Sequence, residues 1–154
     1  MTNKQKQEKM KLHKALKLRK KITGEIAKIK EQICSKNSYV VGNPLRYNIP
    51  SLTTTLDEKT NELIKLKCAI NKTNNPIQSD IYRLAELKGL VVMWNEASVN
   101  EGEQTFGYGE KTVLNFKVQV NEEERDGLLL KIQQEIDDIQ EKLDTFNYTT
   151  DLIE

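Results

Sequence analysis

Aromatic side chains are scarce in this chain: one Trp, five Tyr and three Phe make up 6% of 154 residues. A sheet sandwich, which fills its middle with large side chains, is therefore not expected, and burial has to come from aliphatic residues spread along helices. Glycine and proline are also few, seven and three, so the chain lacks the punctuation that many short strands require. Histidine occurs once, at His13, in a lysine-rich stretch without a neighbouring carboxylate, serine or cysteine to work with it. A general base needs an orienting partner and a substrate proton within reach, so histidine-centred catalysis is not expected. The two cysteines, Cys34 and Cys68, have neither a CxxC spacing nor a histidine beside them. That argues against a zinc site or redox pair and for free thiols that are at least half-buried. No run approaches the roughly 18 to 20 apolar residues that cross a bilayer. The first twenty residues are lysine-rich and unlike a secretory leader, so cytoplasmic residence is the expectation. Gly102, Gly107 and Gly109 match neither a P-loop nor a dinucleotide fingerprint.

What the chain has instead is charge, at 31% of residues, with a net of only +1. The charge is unevenly placed. Residues 1 to 36 carry twelve Lys or Arg against three acids, a net of +9, and residues 121 to 154 carry three basic residues against eleven acids, a net of −8. One end reads as a basic helix and the other as an acidic one, and pairing of the two, within a chain or between chains, would neutralise both.

Apolar spacing supports long helices. Leu12, Ala15, Ile22, Ile26, Ile29 and Ile33 recur at steps of three and four or their sum, the pattern of a packed seam. Helix 1 is predicted over about Lys4 to Ser35, with Arg19 interrupting the stripe as a buried polar position that sets register. Gly42, Asn43, Pro44 and Pro50 break the pattern between Lys36 and Thr55. Leu52, Leu56, Leu63, Leu66 and Ile70 then predict helix 2, ending between Asn71 and Pro76. Ile81, Leu84, Leu87, Leu90, Val91 and Trp94 predict helix 3 from about Ser79. In Lys111 to Val120, Leu114, Phe116, Val118 and Val120 alternate with polar residues, which predicts a half-buried strand. Its candidate partners are Tyr39 to Val41, Thr105 to Tyr108, or another subunit. Asn121 and Glu124 form a capping-box-like start for helix 4, whose seam is Leu129, Ile132, Ile136, Ile139, Leu143 and Phe146.

Three strings carry a resemblance: Ala15-Leu16 with Arg19, Ile70-Asn71-Lys72-Thr73-Asn74, and Asn147-Tyr148-Thr149-Thr150-Asp151-Leu152. Together, in this order, they resemble the septicolysin-like family of small bacterial proteins of unknown function. The resemblance implies a helical, coiled-coil-rich fold in a bacterial cytoplasm with no assigned activity. Two departures stand out: the family pattern usually has Trp at the position of Tyr148, and its first loop is acidic where residues 38 to 50 here hold only Arg46.

The expected fold is mainly α, long antiparallel coiled-coil helical hairpins of about four helices with one short β segment near 111–120. A single helical domain is expected over 1–154: a helical hairpin at 1–76 with a loop at 36–55, then a helix, the β or loop segment and a C-terminal helix at 77–154. Two patches invite partners. Asn71, Thr73, Asn74, Asn147, Tyr148, Thr149, Thr150 and Asp151 are polar residues that cap helix ends or form an interaction patch at one end of the bundle. Lys14, Lys17, Lys20 and Lys21 form a basic face able to meet phosphates. Glu122, Glu123, Glu124 and Asp126 are explained by the helix dipole, so no metal is expected, and no cofactor or catalytic residue either. The functional expectation is a non-enzymatic coiled-coil structural or interaction protein that homo-oligomerises; the alternative is a nucleic-acid-binding module using helix 1. No membrane partner is expected.

Overall fold

A computed structural model describes residues 9–153. The architecture is mainly helical with one small sheet: α1 (Leu12–Lys36), α2 (Ile49–Asn74), a 3-10 turn (Asn75–Ile77), α3 (Gln78–Glu96), strands β1 (Gly102–Phe106) and β2 (Thr112–Phe116), and α4 (Glu122–Thr149). The helical path runs without a break from Ile49 to Glu96, because the 3-10 turn containing Pro76 lets α2 lead directly into α3. No described helix is long and apolar enough to cross a membrane.

The chain divides into two compact units. One holds the residues up to Pro76 together with those from Thr145; the other is Ile77–Asp144. In the first unit, Leu12, Ala15, Ile22 and Ile26 of α1 bury themselves with Leu66 and Ile70 of α2, and Leu56, Leu63, Phe146 and Leu152 pack around them. The heptad stripe of α1 is thus filled by a helix of its own chain. The two helices are antiparallel, since Lys59 Nζ reaches Glu25 Oε2 at 2.8 Å midway along and the start of α1 and the end of α2 both meet the C-terminal segment.

Several boundaries differ from the sequence expectation. Of the predicted helix 1, Lys4–Glu8 lies outside the described residues, and α1 begins only at Leu12 because Lys11 is bridged to Asp151 in extended backbone. The first loop is 37–48 rather than 36–55. Asn48 Oδ1 accepts from the Ser51 amide at 3.0 Å and Pro50 occupies the first turn, so capping draws α2 back to Ile49. Arg19 is exposed rather than buried, although the helical period puts it within the stripe; a long side chain can carry its charge out to water from such a position. Cys34 and Cys68 are both exposed free thiols. Cys68 sits two residues from both Leu66 and Ile70, which turns it about 160° to 200° from those core positions.

In the second unit, Ile77, Leu87, Ile136 and Leu143 are buried, and two ion pairs tie α3 to α4. Arg83 grips Glu135 with two hydrogen bonds of 2.8 and 3.1 Å, and Lys142 Nζ lies 2.6 Å from Asp80 Oδ2. The earlier residue of α3 meets the later residue of α4, so the helices are antiparallel. Asn121 and Glu124 form the reciprocal capping box, with amide-to-side-chain bonds of 2.9 and 3.0 Å. The predicted strand is β2, shorter than 111–120, and its partner is β1 in antiparallel register, Gly102 opposite Phe116 and Phe106 opposite Thr112. Tyr39–Val41 stays in the first loop. Gly107 makes the hairpin turn feasible: its φ is +107°, and a Cβ there would meet the Glu110 carbonyl oxygen at 2.8 Å.

Candidate functional site

The two polar strings come together with the start of α1. Thr73 is 1% exposed; its hydroxyl donates to the Ala69 carbonyl at 2.8 Å and accepts from the Ile153 amide at 2.9 Å. The C-terminal segment then runs antiparallel to residues 10–12. The Leu12 amide donates to Thr150 O at 2.9 Å, and the Leu152 amide donates to Met10 O at 2.8 Å. Lys11 Nζ closes the side, bonding to Thr149 O at 2.9 Å and to Asp151 Oδ1 at 2.7 Å. His13 stacks on Tyr148 with ring centroids 4.6 Å apart.

This arrangement is a clasp. The hydroxyls of Thr73 and Thr149 both donate to carbonyls one turn back, and Asp151 is held by Lys11. Among the described residues, the buried polar atoms His13 Nδ1 and Asn74 Oδ1 have no hydrogen-bond partner. Asn71 lies exposed on α2 and Asn147 half-buried on α4. The contributions of Met10, Lys11 and His13 were missed in the sequence, since partners 138 residues apart leave no local signal.

Lys14, Lys17, Lys20 and Lys21 are all exposed. Lys21 approaches Glu25 at 3.9 Å, but Glu25 is held more closely by Lys59. That hydrogen bond lowers the Glu25 pKa from its ordinary value of 4.5 and raises that of Lys59 above 10.5. Among the described residues, Lys14, Lys17 and Lys20 have no acid within ion-pair distance. On α4, Asp137, Asp138, Glu141 and Asp144 are likewise exposed. Among the described residues, Asp137 and Asp144 accept side-chain hydrogen bonds from Gln133 and Gln140 of their own helix.

Of the acids at the start of α4, Glu124 is engaged in the capping box and Glu122 and Asp126 flank Arg125. Among the described residues, no group of three or more His, Cys, Asp or Glu is set to hold a metal ion. A cavity of about 440 Å³ at the end of α1 and the first loop is lined by Lys36, Tyr39, Val40, Leu45, Arg46 and Tyr47 among others. Comparison with known proteins found no matching family model, no matching curated protein and no matching solved structure.

Proposed function

We propose that this chain is a non-enzymatic structural or interaction protein, four helices in antiparallel coiled-coil hairpins that associate with further copies of the same chain. The observation that carries this reading is the opposition of charge between two exposed helix faces. α1 presents lysines without acid partners, and α4 presents acids whose own neighbours are glutamines. The apolar stripe of α1 is taken up by α2, so association falls to these outer faces rather than to the seams. Opposite patches steer encounter and select the partner, and a net charge of +1 leaves copies with little mutual repulsion.

Light scattering at micromolar concentration tests the reading. The expected mass is a multiple of 17.8 kDa at low ionic strength, falling toward one chain as salt is raised. A single-chain mass throughout removes the proposal.

A second reading draws on the same unpaired lysines: α1 as a nucleic-acid-binding surface. It is weaker because α1 holds one arginine and no aromatic residue, and because the acidic face would repel a polyanion. Under it, the chain binds nucleic acid at low salt and loses that binding when Lys17, Lys20 and Lys21 are changed to Glu.

A further inference from the structure

Each residue of an α-helix turns about 100° from the last. On α1 this places Lys14, Lys17, Lys21 and Lys28 within an arc of about 60°, turned away from buried Leu12, Ala15, Ile22 and Ile26. On α4 it places Asp137, Glu141 and Asp144 within an arc of similar width, turned away from buried Ile136 and Leu143. All seven charged residues are exposed. Leu130 falls in the acidic arc and is 71% exposed, an apolar side chain left to water on a helix whose other face is buried.

The spacings match in one direction. Counting down α1, Lys21, Lys17 and Lys14 are separated by steps of four and three; counting up α4, so are Asp137, Glu141 and Asp144. Antiparallel alignment therefore sets Lys21 level with Asp137, Lys17 with Glu141 and Lys14 with Asp144. The next heptad sets Lys28 level with Leu130, whose exposed side chain meets the methylene stem of the lysine. Gly24, one turn before Lys28, leaves open space for a close approach, with nothing within 4 Å of its Cβ position. Parallel alignment throws the middle pair out of register. The antiparallel sense also brings the positive helix start beside Lys14 toward the negative helix end beyond Asp144.

We infer that the lysine stripe of α1 in one copy lies antiparallel along the aspartate and glutamate stripe of α4 in a second copy, in the register Lys14–Asp144, Lys17–Glu141, Lys21–Asp137. The inference rests on the self-association proposed above and names its surfaces.

Charge exchange tests it. One variant carries Lys14→Glu and Lys17→Glu; the other carries Glu141→Lys and Asp144→Lys. All four residues are exposed, and unchanged helical circular dichroism shows that each variant folds. Each variant alone is expected to associate more weakly by on the order of tenfold or more, since like charges then face each other. An equimolar mixture re-forms the assembly, because the reversed α1 of one chain meets the reversed α4 of the other. Raising salt from about 0.01 M to about 1 M, which shortens the Debye length from about 30 Å to about 3 Å, dissolves both the wild-type and the mixed assemblies. Wild-type-like association of both variants overturns the stripe interface while leaving self-association standing. A monomeric wild type at low salt overturns the reading beneath it as well. Loss of association in the lysine variant alone also overturns the inference, and with nucleic acid in the sample it transfers the basic stripe to that partner.

Discussion

The two units of this chain hold their helices together by different means. In the first, six buried apolar residues form one continuous cluster along α1 and α2, from Leu12 at 0% exposure to Leu66 at 9%. In the second, four buried apolar residues are shared between the 3-10 turn, α3 and α4, and two ion pairs join α3 to α4. Dispersion and water exclusion act along a whole seam and involve no group that titrates. Paired charges act at points and vanish when one partner is neutralised. A helix pair built mainly of the former should yield to cavities, and one built with more of the latter should yield to acid.

The largest expected effect breaks the seam. Ile22→Ala removes a side chain that is 1% exposed at the middle of the α1 stripe and should cost about 3 kcal/mol in chemical denaturation. Leu87→Ala in the second unit, also at 1% exposure, should cost less, about 2 kcal/mol, because fewer buried neighbours surround it. Equal losses would dissolve the contrast. A smaller effect is expected at the start of α4: Asn121→Ala breaks the capping box and should cost about 1 kcal/mol, read as fraying of the first turn by amide exchange.

The pH response sharpens the comparison further. The hydrogen bond and charge of Arg83 hold Glu135 below its ordinary 4.5. A carboxylate lowered in the folded state adds stability above its unfolded value, and that stability is lost as pH falls through the lower folded value. The α3–α4 pairing should therefore be level at neutral pH and loosen below about pH 4.5, with Glu135→Gln abolishing that acid-dependent step. Glu25 shifts in the same direction through Lys59, so Glu25→Gln is the matched control. Amide exchange along α1 should change less with acid than exchange along α3, because the apolar seam carries the first unit.

Local signals in the sequence were read correctly where the physics is local. The steps of three and four along Leu12, Ile22 and Ile26 marked the buried face of α1, and Asn121 with Glu124 marked the start of α4, because a stripe and a capping box are written within one or two turns. A strand at β2 was legible from alternation, and part of β1 was named among its partners, but the strand is not half-buried: Leu114 is 47% exposed and Val118 and Val120 lie beyond it. Two kinds of feature escaped. Side-chain exposure at single positions was one: the exposure of Arg19 within the α1 stripe is set by the neighbouring helix, whereas that of Cys68 follows from the helical period, which turns it away from Leu66 and Ile70. The clasp escaped because Lys11 meets Thr149 and Asp151 across nearly the whole chain. The polar strings were visible as candidates, yet nothing in them announced that Met10 and Leu12 would supply the opposing backbone.

The clasp also has a mechanical meaning. Residues 10–12 and 150–152 run in opposite directions, with Met10 beside Leu152 and Leu12 beside Thr150. Force applied outward at residues 9 and 153 therefore peels the pair like a zipper instead of shearing it. The bonds from Ile153 to the Thr73 hydroxyl and from Leu152 to Met10 carry the load first, and the bond from Leu12 to Thr150 follows, ahead of the buried apolar contacts of the α1–α2 seam. Anything tethered at these two positions leaves the molecule from one place and pulls on its weakest fastening before its strongest.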